Sequence, residues 1–234
     1  MIWLAAAAAW ATDPIAAAAG IAVDGAGSDG ALRTVVALTA LALLPGLLLA
    51  MTPFVRFIVV FSLLRQALGL QQAPPNQVLV GLSLALTLLV MGPTVEEVRV
   101  GAIDPYMAGQ IETTDAIERG LAPLRAHMAR NVEREDLATA VRIARMARPE
   151  NLDAVPTSVL TTAYALTELR AAFTLAVRVY LPFLVIDVVV SSILLGLGMM
   201  MLPPVVVSVP FKLMLFVLMD GWTLLVLGLA GGVR

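Results

Sequence analysis

Residues 159–204 read VLTTAYALTELRAAFTLAVRVYLPFLVIDVVVSSILLGLGMMMLPP. From Val159 to Met200 this is 42 residues of largely apolar, helix-compatible chain. As one helix it would extend about 63 Å at ~1.5 Å per residue, about twice the hydrocarbon core of a bilayer. Such a helix either breaks or stands largely outside the lipid. Pro182 is expected to kink it, because the ring removes a donor and clashes with the carbonyl of Arg178. Thr157 or Ser158, just after Pro156, is the expected N-cap. The chain should turn at Met201–Pro204 and return as an apolar helix through Lys212–Ala230. This C-terminal hairpin, residues 159–234, sets the fold class: an all-α integral membrane protein built from kinked helical hairpins.

The remaining sequence agrees with that reading. Of 234 residues, 60% are hydrophobic and 14% charged, and the mean hydropathy is +0.92. A soluble domain has about 45–50% apolar and about 25% charged residues. Cysteine is absent, which excludes disulfides, thiolate metal sites and cysteine nucleophiles. The single histidine, His127, excludes a multi-histidine metal site. A formal net charge of −2 and the lack of a basic stripe argue against nucleic acid as a partner.

Charge is concentrated in the middle. Residues 93–153 hold 11 acids and 8 arginines, 19 of the chain's 32 charged side chains. The chain therefore divides into five parts: a signal-peptide-like segment (1–20), a linker (21–33), N-terminal hydrophobic helices (34–92), a polar helical domain (93–158) and the C-terminal hairpin (159–234). Met1–Ala11 is apolar and ends in small residues, although no Lys or Arg precedes Arg33. The Gly- and Asp-rich stretch that follows suits a flexible linker. Thr34–Leu64 is interrupted at Pro45-Gly46 and Thr52-Pro53, so one bent span or two short helices fit. The run GLQQAPPNQ, residues 69–77, is a turn. Val78–Met91 is too short for a straight crossing.

In the polar domain Asp115 and Glu118 have capping-box spacing. Ile117, Leu121, Leu124 and Met128 follow at helical intervals, with Pro123 expected to bend or restart that helix. A second amphipathic helix carries Leu137, Ala140, Val141 and Ala144 on one face. His127, one step from Met128, is expected at a surface or interface.

Arg56, Arg178, Asp187, Lys212 and Asp220 lie inside otherwise apolar runs. A charge at the bilayer centre costs at least ~2.5 kcal/mol, so these groups face protein, a polar lumen or water. Structural ion pairs between helices are the plainer reading, ahead of a transport relay. In a straight hairpin turning near residue 202, Asp187 and Asp220 lie at similar depth, with Lys212 about 12 Å nearer the turn than Asp220. The acids are therefore expected to find partners on other helices or other subunits. Two aspartates on adjacent apolar helices would also suit an intramembrane protease whose carboxyls share a proton. Its Gly-x-Gly-Asp motif is missing, however, since the run here is Leu218-Met219-Asp220-Gly221. A stand-alone transporter would need paired inverted segments, and none is visible. No catalytic, cofactor-binding or metal-ligating residue is expected, and the chain is not read as an enzyme.

Met199, Met200 and Met201 lie between Gly196 and Gly198 on one side and Pro203 and Pro204, the expected hairpin turn, on the other. Methionine is flexible and polarizable and fills irregular gaps. In a ring of subunits this loop could form a soft seal. On these residues alone, packing at the end of a hairpin is slightly the plainer reading.

Several runs point to one family when taken in order. They are Met51-Thr52-Pro53-Phe54-Val55-Arg56, Leu64-Arg65-Gln66-Ala67-Leu68-Gly69, Pro74-Pro75-Asn76-Gln77-Val78-Leu79 and Asp104-Pro105-Tyr106. Downstream come Glu168-Leu169-Arg170-Ala171-Ala172-Phe173, Leu181-Pro182-Phe183-Leu184-Val185-Ile186-Asp187, the methionine run, and Leu213 through Trp222. From about residue 34 to 225 the chain resembles the FliP/SctR family of export-gate membrane proteins. Pro-Pro-Asn-Gln, Pro210-Phe211-Lys212 and the signal-like N-terminus favour the flagellar branch over the injectisome one.

The resemblance implies an oligomeric export gate in the bacterial inner (cell) membrane, multi-pass, within the flagellar basal body. It implies a homo-oligomer assembled with FliQ and FliR, with FlhA and FlhB nearby and unfolded flagellar subunits as cargo. Residues 93–158 would be a periplasmic domain, with the hairpins raised above the ordinary membrane plane. Met199, Met200 and Met201 would form a gasket around the closed pore, which reverses the packing reading. Three positions depart from the family pattern: His127 where an aromatic residue is usual, Arg178 where an apolar one is usual, and Arg170 in place of Lys.

Overall fold

The computed structural model describes residues 28–233, apart from residues 148, 150, 153 and 200, and without the side chains of residues 28–33, 36, 37 and 40. The signal-like segment 1–20, the start of the linker and Met200 thus lie outside the described residues. Among the described residues every regular element is helical. In chain order these are α1 (Ser28–Ala50), α2 (Phe54–Ala67), α3 (Asn76–Val90), α4 (Gly92–Val98), a π-helical stretch (Arg99–Ile103) and α5 (Asp104–Met107). Then follow α6 (Thr113–Asn131), α7 (Arg134–Ile143), α8 (Thr157–Gly196), α9 (Pro204–Leu218) and α10 (Gly221–Ala230).

The chain falls into two units, divided after Leu48. The first holds most of α1, which begins at Ser28, inside the expected linker, and runs through Pro45 without a break. Leu41, Leu43, Leu44 and Leu47 are all exposed on it, as in a helix apolar all round that meets lipid or other protein. Of the two interruptions expected, the one at Pro45-Gly46 is absent, while the one at Thr52-Pro53 occurs, over Met51–Pro53. There the Thr52 hydroxyl donates to the Leu49 carbonyl at 2.9 Å and accepts from the Phe54 N–H at 3.4 Å.

In the second unit α2 packs along α8 and α3, and α9 packs along α8. The stripe Phe57, Val60, Phe61, Leu64 and Ala67 of α2 has helical spacing and enters the main core. It meets Leu79 of α3, Ala172 and Phe183 of α8, Phe216 of α9, and Leu225 and Leu229 of α10. A second core joins Met51, Met128, Val155, Leu160 and Tyr164, where α6 meets the first turns of α8.

The 40-residue α8 is one helix, about 60 Å long, and Pro182 does not interrupt it. Pro156, rather than Thr157 or Ser158, holds the N-cap position, and no side chain caps the end. Thr157 is already helical, and its hydroxyl accepts a hydrogen bond from Arg125. The capping box expected at Asp115 and Glu118 is likewise absent: the cap residue of α6 is Glu112, without a side-chain bond. α6 also continues through Pro123. Its inner face begins at Leu121 and leaves Ile117 exposed. His127 is buried on that face and not at the surface, because it shares the helix side that Met128 presses against α8. In α7, Ala140 and Val141 are buried together with Asp136, whereas Ala144 lies beyond the last turn and is exposed.

α8 is long and apolar enough to cross a membrane, and up to four spans arise if each of three bent helix pairs counts as one. The α3 helix and Gly92–Met107 meet at 69°, and α9 and α10 at 65°. The return of the hairpin is therefore two helices, not one apolar rod from Lys212 to Ala230. Asp220, with φ +48°, makes the break. The turn of the hairpin is built by Gly198, with φ +75°. Its N–H bonds the Leu195 carbonyl at 3.0 Å and the Met199 N–H bonds that of Leu194 at 2.9 Å, the paired bonds of a Schellman motif. Pro203 is then the N-cap and Pro204 the first residue of α9, where a missing N–H costs nothing.

Candidate functional site

The charges of the hairpin form a compact node. Lys212 Nζ donates to Asp187 Oδ2 at 2.7 Å and to the Ala67 carbonyl at 2.9 Å. Ser208 Oγ donates to Asp187 Oδ1 at 2.6 Å. The Lys212 side chain is 3% exposed and that of Asp187 24%. The Ala67 carbonyl belongs to the last turn of α2, where carbonyls lack intrahelical donors and a cation is favoured. One ammonium thus ties α8, α9 and the end of α2 together. Four residues further along, the rings of Phe183 and Phe216 lie 6.3 Å apart.

These two pairs set the antiparallel register of α8 and α9. Residue 187 is level with 212, and 183 with 216. Continued past the end of α9 at Leu218, that register would bring Asp220 near the level of residue 179. It therefore lies about 12 Å along the hairpin from Asp187, and not at the depth expected from a straight hairpin turning near residue 202. The difference arises because α8 already ends at Gly196 and α9 begins only at Pro204. Asp187 is held by Lys212 and Ser208, while Asp220 is exposed at the helix break. No hydrogen bond joins the two acids, so the arrangement is unlike that of a proton-sharing aspartyl pair.

A second pair lies deeper. Arg56 Nε and Nη2 donate to Glu168 Oε2 and Oε1 at 2.8 and 2.7 Å. This is a fork-to-fork contact whose side chains are 6% and 0% exposed. A Cβ at Gly232 would come within 2.6 Å of Arg56 Nη1, so glycine there leaves room for the guanidinium. Sequence reasoning singled out Arg56 but not Glu168. The signal was present: an acid in the middle of a long apolar helix needs a cation.

The polar domain is pinned to α8 by Arg170, which donates to Glu135 at 3.0 Å and Asp136 at 2.6 Å. The Thr167 hydroxyl donates to Asp136 Oδ2 at 3.0 Å and accepts from the Glu133 N–H at 3.1 Å. A planar guanidinium can reach two carboxylates at once in a way an ammonium does not. Near the start of α8, His127 Nε2 lies 3.4 Å from the Tyr164 hydroxyl, and the rings meet edge to face at 5.8 Å. Burial, with the nearby charges of Arg130 and Arg56, pushes His127 below the usual histidine range.

At the far end of the hairpin the turn stands open. Met199 is partly exposed and Met201 is 98% exposed. Beside it, α8 and α9 enclose an apolar cleft of about 420 Å³ lined by Val185, Val189, Ile193, Val207 and Phe211. Among the described residues no three His, Asp or Glu side chains converge as metal ligands would.

The sequence pattern of the FliP family matches residues 37–229, from within α1 to the end of α10. The chain belongs to the FliP family. It is 50% identical over 199 residues to the flagellar biosynthetic protein FliP of Pectobacterium carotovorum subsp. carotovorum, which covers 85% of this chain and 77% of that one. Identity to the flagellar biosynthetic protein FliP of Bacillus subtilis (strain 168) is 42% over 195 residues, covering 83% and 88%. For that of Aquifex aeolicus (strain VF5) it is 40% over 200 residues, covering 85% and 84%. Membership places this chain in flagellar biosynthesis and protein export, with membrane-crossing helices. The span matched by the FliP family contains both buried ion pairs and the whole α8–α9 hairpin.

Proposed function

We propose that this chain is a channel-forming core subunit of the flagellar type III export apparatus, multi-pass in the bacterial inner membrane. In this reading it forms a homo-oligomer with FliQ and FliR, next to FlhA and FlhB in the basal body. It conducts unfolded flagellar subunits and catalyses no reaction of its own. Residues 93–158 lie on the periplasmic side.

The observation that carries this reading is the hairpin. Its stem is locked by Lys212, Asp187 and the Ala67 carbonyl, while its tip holds Met199 and Met201 out in open space. Only 11% of the most apolar window of α8 is buried within the chain, so most of that surface needs lipid or neighbouring subunits to cover it. Several such tips around an axis bring long, polarizable side chains together, with the Schellman turn and Pro203-Pro204 holding each loop short. Thioether chains can close against one another and part before an extended polypeptide without breaking hydrogen bonds. Met199, Met200 and Met201 are the gasket in this account.

Replacing Met199–Met201 by Ala in the assembled complex should raise ion conductance of the closed gate in planar bilayers. Unchanged conductance with assembly intact would remove the methionines from the seal.

A further inference from the structure

The end of α2 meets the start of α9 through a glycine. α2 closes with a Schellman motif, in which the Gly69 N–H bonds the Gln66 carbonyl at 2.9 Å and the Leu70 N–H that of Arg65 at 3.1 Å. Gly69 has φ +77°, the left-handed conformation that such a turn requires. Gly109 and Gly198 share that conformation, but a Cβ on either would meet no atom within 4 Å. At Gly69 it would lie 2.9 Å from Val209 Cγ2 and 3.4 Å from Val205 Cγ1. Gly69 thus answers two demands, one of conformation and one of space, and asparagine would meet only the first.

Val205, Val209 and Lys212 follow one another at helical spacing and share one face of α9. The valines lie against Gly69, and Lys212 bonds the Ala67 carbonyl at 2.9 Å. These contacts are spread over about 10 Å of helix. The Lys212 bond alone fixes a point, whereas the two supports together set a tilt. Arg65 holds the rest of the corner, donating to the Pro74 carbonyl at 3.1 Å and to Asn76 Oδ1 at 2.7 Å. α9 starts at Pro204, so this seat lies directly behind the methionine loop.

We propose that Gly69 is a positioning residue of the gate: by letting the end of α2 reach Val205 and Val209, it fixes the tilt of α9 and with it the place of Met199–Met201. This rests on the gasket reading above and adds the seat that aims the gasket. A methyl group at residue 69 forces an adjustment. Val209 has little freedom to turn away, because a β-branched side chain in a helix keeps one strongly preferred rotamer. Carbon atoms settle at ~3.5 Å or more, so α9 itself has to back away. Ser208 and Lys212 hold the stem to Asp187, and the displacement therefore grows toward the tip.

The test reads full-length protein assembled with FliQ and FliR in planar bilayers. Gly69→Ala should raise closed-gate conductance about threefold or more through overpacking at the seat. Adding Val209→Ala should bring it back, since the crowding atom is gone. Gly109→Ala imposes the same backbone strain in open space and should leave conductance unchanged. Val209→Phe crowds the seat without altering the backbone at residue 69, and it serves where Gly69→Ala does not assemble. The chain has no cysteine, so spin labels at Ala73→Cys and Leu202→Cys report the distance from corner to tip in the full chain. That distance should change by about 1 Å or more in Gly69→Ala and recover with Val209→Ala, which a mere loss of stability would not produce.

A label distance that stays fixed in Gly69→Ala, or in Val209→Phe where only that variant folds, would overturn the seat. So would a leak that Val209→Ala does not relieve. If the distance shifts and recovers while the conductance of the assembled gate stays constant, the seat stands and the gasket reading fails.

Discussion

Glu168 has no exposed surface and Arg56 almost none, so each is the other's compensation for leaving water. Removing one partner of such a pair costs about 3–5 kcal/mol, because it strands a buried charge. Glu168→Leu should lower stability by that amount in denaturant unfolding in detergent. Arg56→Met combined with Glu168→Leu should recover most of the loss, since apolar pairs of similar volume often replace buried ion pairs without penalty. Equal losses in the single and double variants would mean that packing, rather than charge, is responsible.

His127 behaves in the opposite way. Its folded pKa lies below 6.5, mainly through burial, so the unfolded chain binds the proton more readily. Stability is therefore full above pH ~6.5 and is lost as the pH falls toward the folded value. His127→Phe should flatten that loss in thermal melts taken from pH 7.5 to 5. An unaltered slope would place the titrating group elsewhere. The charge of Arg56 was legible from its apolar setting, but the burial of His127 was not: a histidine beside a core methionine lies near the edge of the stripe, and only the path of α8 decides whether it is covered.

At the scale of elements, the long helix was legible from apolar length alone, and its ends lie within a few residues of expectation. The hairpin turn was legible from Gly-Met-Met-Met-Leu-Pro-Pro. The register between α8 and α9 was not, because it depends on where α8 unwinds, and the positive φ of Gly198 ends that helix earlier than the prolines suggest. The caps of α6 and α8 were also misread. Pro156 and Glu112 hold the cap positions, one to three residues before the polar side chains that the sequence offers as caps, and neither makes a side-chain capping bond. The break at Asp220 has a further signature in Gly221, where a Cβ would come within 2.3 Å of the Phe216 ring. That ring is wedged against Trp222 at 5.4 Å and Phe183 at 6.3 Å and has little room to yield. Gly221→Ala should destabilise the chain by about 1–3 kcal/mol through overpacking. A melting temperature equal to that of the unaltered protein would show that the aromatic cluster adjusts.

Across the whole molecule, composition and the polar middle segment make this a membrane protein with a helical polar insert, and the ordered motifs identify its family. Half of α8 and much of α9 are uncovered, Met201 at the hairpin tip stands in open space, and Arg178 and Asp220, both exposed in apolar surroundings, make no ion pair among the described residues. All three features are accounted for if several copies close around a pore. The most direct measurement is native mass spectrometry of the full chain in mild detergent, alone and co-expressed with FliQ and FliR. The export-gate account predicts a discrete homo-oligomer that retains both partners, whereas a monomer that retains neither would contradict it.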